Sequence, residues 1–310
     1  MGKTDFLAIA DFGRKELQLL LDLAGTLKDA WRSGKSDPRL AGKVLACVFH
    51  KPSLRTRMSF EVGMAQLGGR SLYVTDAEIG FGKRESIHDI ARVLSRYVDA
   101  IMIRTFSQEH VRELARHARV PVINGLTDSD HPCQILSDLF TIREKGVALD
   151  GLSVAWIGDG NNVAKSWIDA ALAFELDLRL ACPAGYDPDP AALARVEREG
   201  RGRVRLLRDP EEAVQGARVL YTDTWTSMGQ EGEAEERRAA FRGFRVDEPL
   251  VARAAPGALV MHCLPAHRGE EIVDAVMDGP QSVVFDQAEN RLHAQKAILV
   301  HCISSAARPV

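Results

Sequence analysis

Residues 44–57 read VLACVFHKPSLRTR, and this stretch decides the fold. Val44–Phe49 is a short apolar run rich in strand formers, His50-Lys51-Pro52 is a turn, and Ser53 stands where a helix N-cap would stand. A helical pattern over Met58–Leu67 follows. Working outward, the same strand–turn–helix unit recurs. Further strands are expected at Ser71–Thr75, Ala100–Arg104, Val120–Asn124, Ser153–Ile157, Leu178–Ala181, Arg203–Leu207, Val219–Thr222, Leu259–Cys263 and Ser282–Phe285. Helices are expected at Lys15–Arg32, Ser86–Tyr97, Ser107–His117, Gln134–Lys145, Asn162–Phe174 and Pro190–Glu199. Ala100–Arg104 and Leu259–Cys263 are apolar without alternation, as strands are when both faces of a parallel sheet are covered. The alternation predicts an α/β fold of doubly wound parallel sheets with helices on both faces.

A chain of 310 residues is about twice the common domain size, which favours two such domains. The boundary is expected near Lys145–Gly151, giving domains 1–147 and 148–286, with a last helix of about 287–304 packing back on the first. The acidic stretch Gly229–Arg238 reads as a solvated loop or helix. A net charge of -3 supplies no basic field for nucleic acid or an anionic membrane. No apolar run approaches the roughly 18–20 residues of a membrane helix. Met1–Asp11 lacks the pattern of a secretory signal, and Phe6 spoils a myristoylation motif. Cys47, Cys133, Cys182, Cys263 and Cys302 are odd in number without C-x-x-C spacing, so a reducing cytoplasm is expected, with most of them as small buried hydrophobes.

In open α/β sheets ligands bind beyond the carboxyl ends of the strands, so chemistry is expected at those positions. After the first strand, Ser53, Thr56, Arg55 and Arg57 at a helix start form an anion site suited to phosphate. Arg104 ends another strand, and His131-Pro132-Cys133-Gln134 opens a helix after a third. In the second half, Gly158-Asp159-Gly160-Asn161-Asn162 half-resembles a dinucleotide fingerprint. Val163 replaces its third glycine, and Cys182-Pro183 leaves no acid for a ribose. Asn161 and Asn162 instead suit a carboxylate at a helix N-terminus. Asp223, at a strand end with Ser227 beyond it, suits an ammonium group. Cys263, beside the Leu264-Pro265 turn, is the cysteine best placed for chemistry.

Together these segments resemble the transcarbamylase family, and its ornithine-specific branch, over nearly the whole chain. The carrying residues are Ser53-Leu54-Arg55-Thr56-Arg57, His131-Pro132-Cys133-Gln134, Asp223 with Ser227-Met228-Gly229, and His262-Cys263-Leu264-Pro265. The resemblance implies a carbamoyl-phosphate domain followed by an ornithine domain, an active site in the cleft between them, and a homotrimer or a multiple of it. It implies carbamoyl phosphate held by Ser53, Leu54, Arg55, Thr56, Arg104, His131, Gln134, Cys263, Leu264 and Arg291. It implies ornithine held by Asn162, Asp223, Ser227 and Met228, with Cys263, Arg104, His131 and Asp223 closest to the chemistry. Leu54 stands where the family more often has Thr, and Gly80 where many members have Gln. Lys83 or Arg84 is then a candidate to take that phosphate contact, in a loop the family extends into a neighbouring subunit.

The implied reaction, amine attack on a carbamoyl carbon with phosphate leaving, needs no metal and no redox cofactor. Rival readings at this stage are a transcarbamylase for putrescine or an N-acylated ornithine, an NAD-dependent dehydrogenase, and a non-catalytic binder of an amino acid and phosphate. The dehydrogenase is disfavoured by Val163 and Cys182-Pro183.

Overall fold

The computed structural model describes residues 3–80, 85–227, 229 and 231–305. The chain folds as two compact units, Met1–Phe140 with Asn290–Val310, and Thr141–Glu289. The first contains a parallel sheet of β1 (Val44–Phe49), β2 (Arg70–Thr75), β3 (Ala100–Arg104) and β4 (Val122–Leu126), in the order β2-β1-β3-β4. The second contains β5 (Ser153–Ile157), β6 (Asp177–Ala181), β7 (Arg203–Leu207), β8 (Val219–Thr222) and β9 (Leu259–His262), in the order β7-β6-β5-β8-β9. These are the two parallel-sheet α/β domains expected from the alternation.

In each order the winding reverses once, between β1 and β3 in the first sheet and between β5 and β8 in the second. At such a switch the connections leave in opposite directions and open a crevice at the strand ends. The apolar runs fill the cores: Val48, Ile101, Ile103 and Val122 in the first unit, and Ala155, Ile157, Leu220 and Val260 in the second. β4 would be an open edge, but the N-terminal segment covers it. Phe6 donates to the Val122 carbonyl at 2.9 Å and accepts from the Asn124 N–H at 2.8 Å.

Several expected boundaries move. Val120–Asn124 becomes Val122–Leu126, because Pro121 carries no N–H for the ladder. Met58–Leu67 starts earlier, as Leu54–Gln66, since the Ser53 hydroxyl caps the helix by accepting from the Thr56 N–H at 3.3 Å. Ser86–Tyr97 shortens to Ile87–Leu94. Ser282–Phe285 is not a strand. Only Ser282 bridges to Val260, and helix Val284–Ser305 begins at once. A run of three apolar residues after Ser282 suits a strand and the first turn of a helix equally.

The compact units divide inside helix Pro132–Glu144, a few residues before the turn at Lys145–Gly151, and again inside helix Val284–Ser305. From Asn290 onward that helix belongs to the first unit, where Lys28 donates to Asn290 at 2.6 Å and Lys296 to Gln66 at 2.9 Å. The acidic stretch includes a 3-10 turn, Glu231–Glu233, and runs into helix Ala234–Ala240.

Candidate active site

The register of the first sheet builds its cluster. β1 and β3 pair with Phe49 opposite Arg104, so the turn after β1 lies beside the arginine. Between β3 and β4 the register slips by one residue at Arg104, with Ile103 opposite Asn124 and Arg104 opposite Leu126. Gly125 is the extra residue; a Cβ there would approach Met102 Sδ to 2.7 Å and the Ile103 carbonyl to 3.2 Å, so the bulge favours glycine. Arg104 then donates to the Thr56 hydroxyl at 3.3 Å. Arg291 donates to the same oxygen at 3.2 Å and to Gln134 Oε1 at 2.6 Å, and the Gln134 amide donates on to Asp138 at 2.8 Å. Thus Thr56 receives two guanidinium groups from positions 48 and 235 residues away in the chain.

His131 is buried beside these groups. Burial, then the positive charges of Arg291, Arg104 and Arg55, hold its pKa well below the ordinary histidine value. A neutral imidazole adds hydrogen-bonding capacity without adding repulsion. Arg57 behaves differently. It donates to Glu61 at 2.9 Å and its guanidinium stacks on Tyr73 at 4.0 Å, a partly exposed pairing outside the Thr56 network. Leu54 is exposed, consistent with a backbone contribution from that position.

In the second unit, β5 and β8 pair with Ile157 opposite Thr222, and β8 and β9 with Thr222 opposite His262. This sets Asp223 between the turn after β5 and the turn after β9. Asn161 caps helix Asn162–Ala173 by accepting from Val163 and Ala164, and donates to Asp223 Oδ2 at 2.8 Å. The Cys263 thiol donates to Asp223 Oδ1 at 2.9 Å, and Thr224 N–H donates to the same oxygen at 2.8 Å. Asn162 and Ser227 are both half-buried. Met228, Lys83 and Arg84 lie outside the described residues; Gly80 is described, with φ 54° closing helix Asp76–Ile79.

The other four thiols are buried. Burial pushes Cys47, Cys133 and Cys182 up to about 12 and Cys302 higher still, which leaves Cys263 as the accessible one. Leu264 follows it at φ 60°, a left-handed conformation that costs a branched residue about 1–3 kcal/mol. His262 holds that turn. Its Nδ1 accepts from the Leu264 N–H at 2.9 Å, which puts the ring proton on Nε2, where it donates to Glu271 at 3.1 Å. Glu271, with 0% exposure, also accepts from the His267 N–H at 2.6 Å and so ties down both ends of the turn.

Sequence reading did not reach Glu271, nor the pair Asp159–Arg237, joined at 2.6 Å behind Asp223. Burial raises the Asp159 pKa to about 6 against the pull of Arg237, with Asp223 adding to the rise. A charged residue inside an acidic, surface-like stretch carries no signal that it will be buried. Asp223, His262 and Cys263 place donor atoms within 4.8 Å of one another, as do His267, Glu270 and Glu271. In the first set both histidine nitrogens and the thiol are engaged as described, so a cation would have to break those bonds.

The carbamoyl-P binding domain of the aspartate/ornithine carbamoyltransferases matches residues 4–144, and their Asp/Orn binding domain matches residues 150–302. The ornithine carbamoyltransferase of Geobacter sulfurreducens is 52% identical over 294 residues, covering 95% of this chain and 97% of its own. That of Pelobacter propionicus is 54% identical over 294 residues, covering 95% and 96%. The solved ornithine carbamoyltransferase from Pyrococcus furiosus superposes with a TM-score of 0.95 at 49% identity, covering 99% of both chains. With two domain profiles and relatives at half identity running end to end, the chain belongs to the ornithine carbamoyltransferase family.

Proposed function

We propose that the protein transfers the carbamoyl group of carbamoyl phosphate to the side-chain amine of L-ornithine, giving L-citrulline and inorganic phosphate. The observation that carries this reading is the convergence of Arg104 and Arg291 on Thr56 beside a neutral His131. Arg55, Arg104, Arg291 and the N–H groups of the Ser53–Thr56 helix start bind the phosphoryl oxygens and take up charge as phosphate leaves. Arg104, Thr56 and His131 polarise the carbamoyl carbonyl as it becomes an oxyanion, with Gln134 orienting the carbamoyl amide.

Asp223 receives the ornithine ammonium groups, and Asn162, Ser227 and Met228 hold the amino-acid head. An amine of this kind has a pKa near ~10.4, so its neutral form costs roughly 4–5 kcal/mol at pH 7. Removing it from water near Cys263 lowers that cost, while the charge of Asp223 acts in the opposite direction by favouring the ammonium. The neutral nitrogen then bonds to the carbamoyl carbon, the C–O bond to phosphate breaks, and the departing phosphate takes the proton the nitrogen loses. His262 and Glu271 are positioning residues, since they hold the Leu264 turn rather than touch substrate.

The wider setting follows from the same reading. Citrulline as product supports a place in arginine biosynthesis, and five thiols without a disulfide support a cytoplasmic location. No helix among the described residues is long and apolar enough to cross a membrane. Leu54 and Met58 on one helix and Leu72 on edge strand β2 expose apolar surface on the first unit, which supports burial between copies in a trimer. The deciding experiment is citrulline formation from carbamoyl phosphate and L-ornithine with no nucleotide added. L-Aspartate and putrescine serve as competing acceptors. Comparable kcat/KM for either would overturn the choice of acceptor.

A further inference from the structure

Three loops of the first unit carry the groups assigned to carbamoyl phosphate. The turn after β1 leads to Arg55 and Thr56, the turn after β3 follows Arg104, and the turn after β4 leads to His131. Their backbones are joined in sequence. His50 N–H donates to the Arg104 carbonyl at 2.9 Å, Thr105 N–H to Leu126 at 3.0 Å, and Asp128 N–H to Phe106 at 2.8 Å. One side chain touches all three loops. Lys51, in the first turn, is only 7% exposed; its ammonium lies 4.3 Å from the centre of the Phe106 ring in the second and pairs with Asp128 in the third.

A buried ammonium two residues before Ser53 invites a direct reading, in which its charge attracts phosphate. The geometry points elsewhere. The charge is already met by a carboxylate on one side and an aromatic face on another, so little of it is left to project onto a ligand. The pair is also a weak source of stability. The Asp128 side chain is 61% exposed, and half-solvated ion pairs contribute little. What the arrangement does is fix spacing: a cation on the first loop cannot keep both partners unless the second and third loops stay in place.

We propose that Lys51 is a positioning residue for carbamoyl phosphate, a clasp that holds the Arg55–Thr56 turn, Arg104 and His131 at the separation the ligand requires. This rests on the assignment of the cluster to carbamoyl phosphate. Misplacement of a preorganised group by about 1 Å costs up to ~10²-fold, so loosening the clasp without deleting a donor should cost about tenfold.

The test is titration calorimetry on the intact protein, with carbamoyl phosphate and, as a stable second probe, inorganic phosphate. Lys51→Met and Asp128→Asn should each weaken carbamoyl phosphate about tenfold, while Lys51→Arg stays within about threefold because it keeps the charge and the stacking. Thermal midpoints should move by a few degrees at most, and KM for ornithine at saturating carbamoyl phosphate should not change. The sign for Asp128→Asn is decisive. If Lys51 acted on phosphate by its own charge, removing its carboxylate would tighten binding, and the clasp would be overturned. A fall in thermal midpoint without any change in binding would also overturn it, as a purely structural contact. Arg55→Ala separates the two layers of argument. If it leaves binding intact, the assignment of the cluster fails; if it weakens binding while the Lys51 and Asp128 variants are normal, only the clasp fails.

Discussion

Arginine gathers beyond the strand ends of the first sheet, where Arg104 of a strand end and Arg55 and Arg291 of two helices surround a neutral histidine. At the corresponding switch of the second sheet, aspartate dominates: Asp223 is held by Asn161 and Cys263, and Asp159 lies behind it on Arg237. Both units use one construction, a reversal of winding that opens a crevice, and fill it with opposite charge. The difference teaches that the sheet only supplies a place. In the proposed reading, the sign of charge in that place selects the ligand, an anionic phosphate in one unit and an ammonium in the other.

The comparison breaks most visibly if the first cluster loses a guanidinium. Arg104→Ala or Arg55→Ala should lower kcat/KM at least ~10²-fold, the usual scale for one preorganised charge-stabilising donor. Thermal midpoints should stay near wild type, because these charges stand at a strand end and a helix start outside the core. Near-normal steady-state kinetics for either variant would remove that residue from the site. Next in size, Asp223→Asn should cost ornithine about 10–10²-fold in kcat/KM, since a charge-assisted partner becomes a neutral one. Carbamoyl-phosphate binding, measured separately, should hold. Equal losses for both ligands would mean that the two clusters do not divide the substrates by charge.

A smaller effect concerns pH. Asp159 has its folded pKa raised to about 6 from an ordinary 3.8. The folded protein therefore holds that proton more tightly than the unfolded chain between about pH 4 and 6, and stability from this group falls as pH rises through that window. Asp159→Asn removes the titration. Its stability relative to wild type should climb by about 1.4 kcal/mol per pH unit across the window and level off above it. Chemical denaturation at a series of pH values reads the slope, and a flat difference would contradict the raised pKa. The smallest effect is expected at Arg57. With its guanidinium on Glu61 and Tyr73, Arg57→Gln should change kcat/KM by less than about threefold, as for an exposed ion pair. A loss as large as that of Arg104 would place Arg57 in the phosphate cluster after all.

Much of this was legible before any coordinates. The nine strands that form are local runs, and the residues that follow them can be read from turn and capping chemistry, as with Ser53. The tenth expected strand, Ser282–Phe285, failed because three apolar residues carry no period that tells a strand from a helical turn. Asp159, Arg237, Glu271 and Lys51 stayed hidden as members of networks. A buried charge looks like any other charge until its partner, which chain order does not indicate, is brought beside it.

By itself, then, the sequence determined the alternation of strands and helices, the division into two parallel sheets and the kinds of residue waiting at the strand ends. Only the tertiary structure decided which of them meet. Arg291 reaches Thr56 from 235 residues away, and Cys263 reaches Asp223 from 40. Strand register and the order of strands in each sheet set those meetings, and both are properties of non-local pairing that no local stretch encodes.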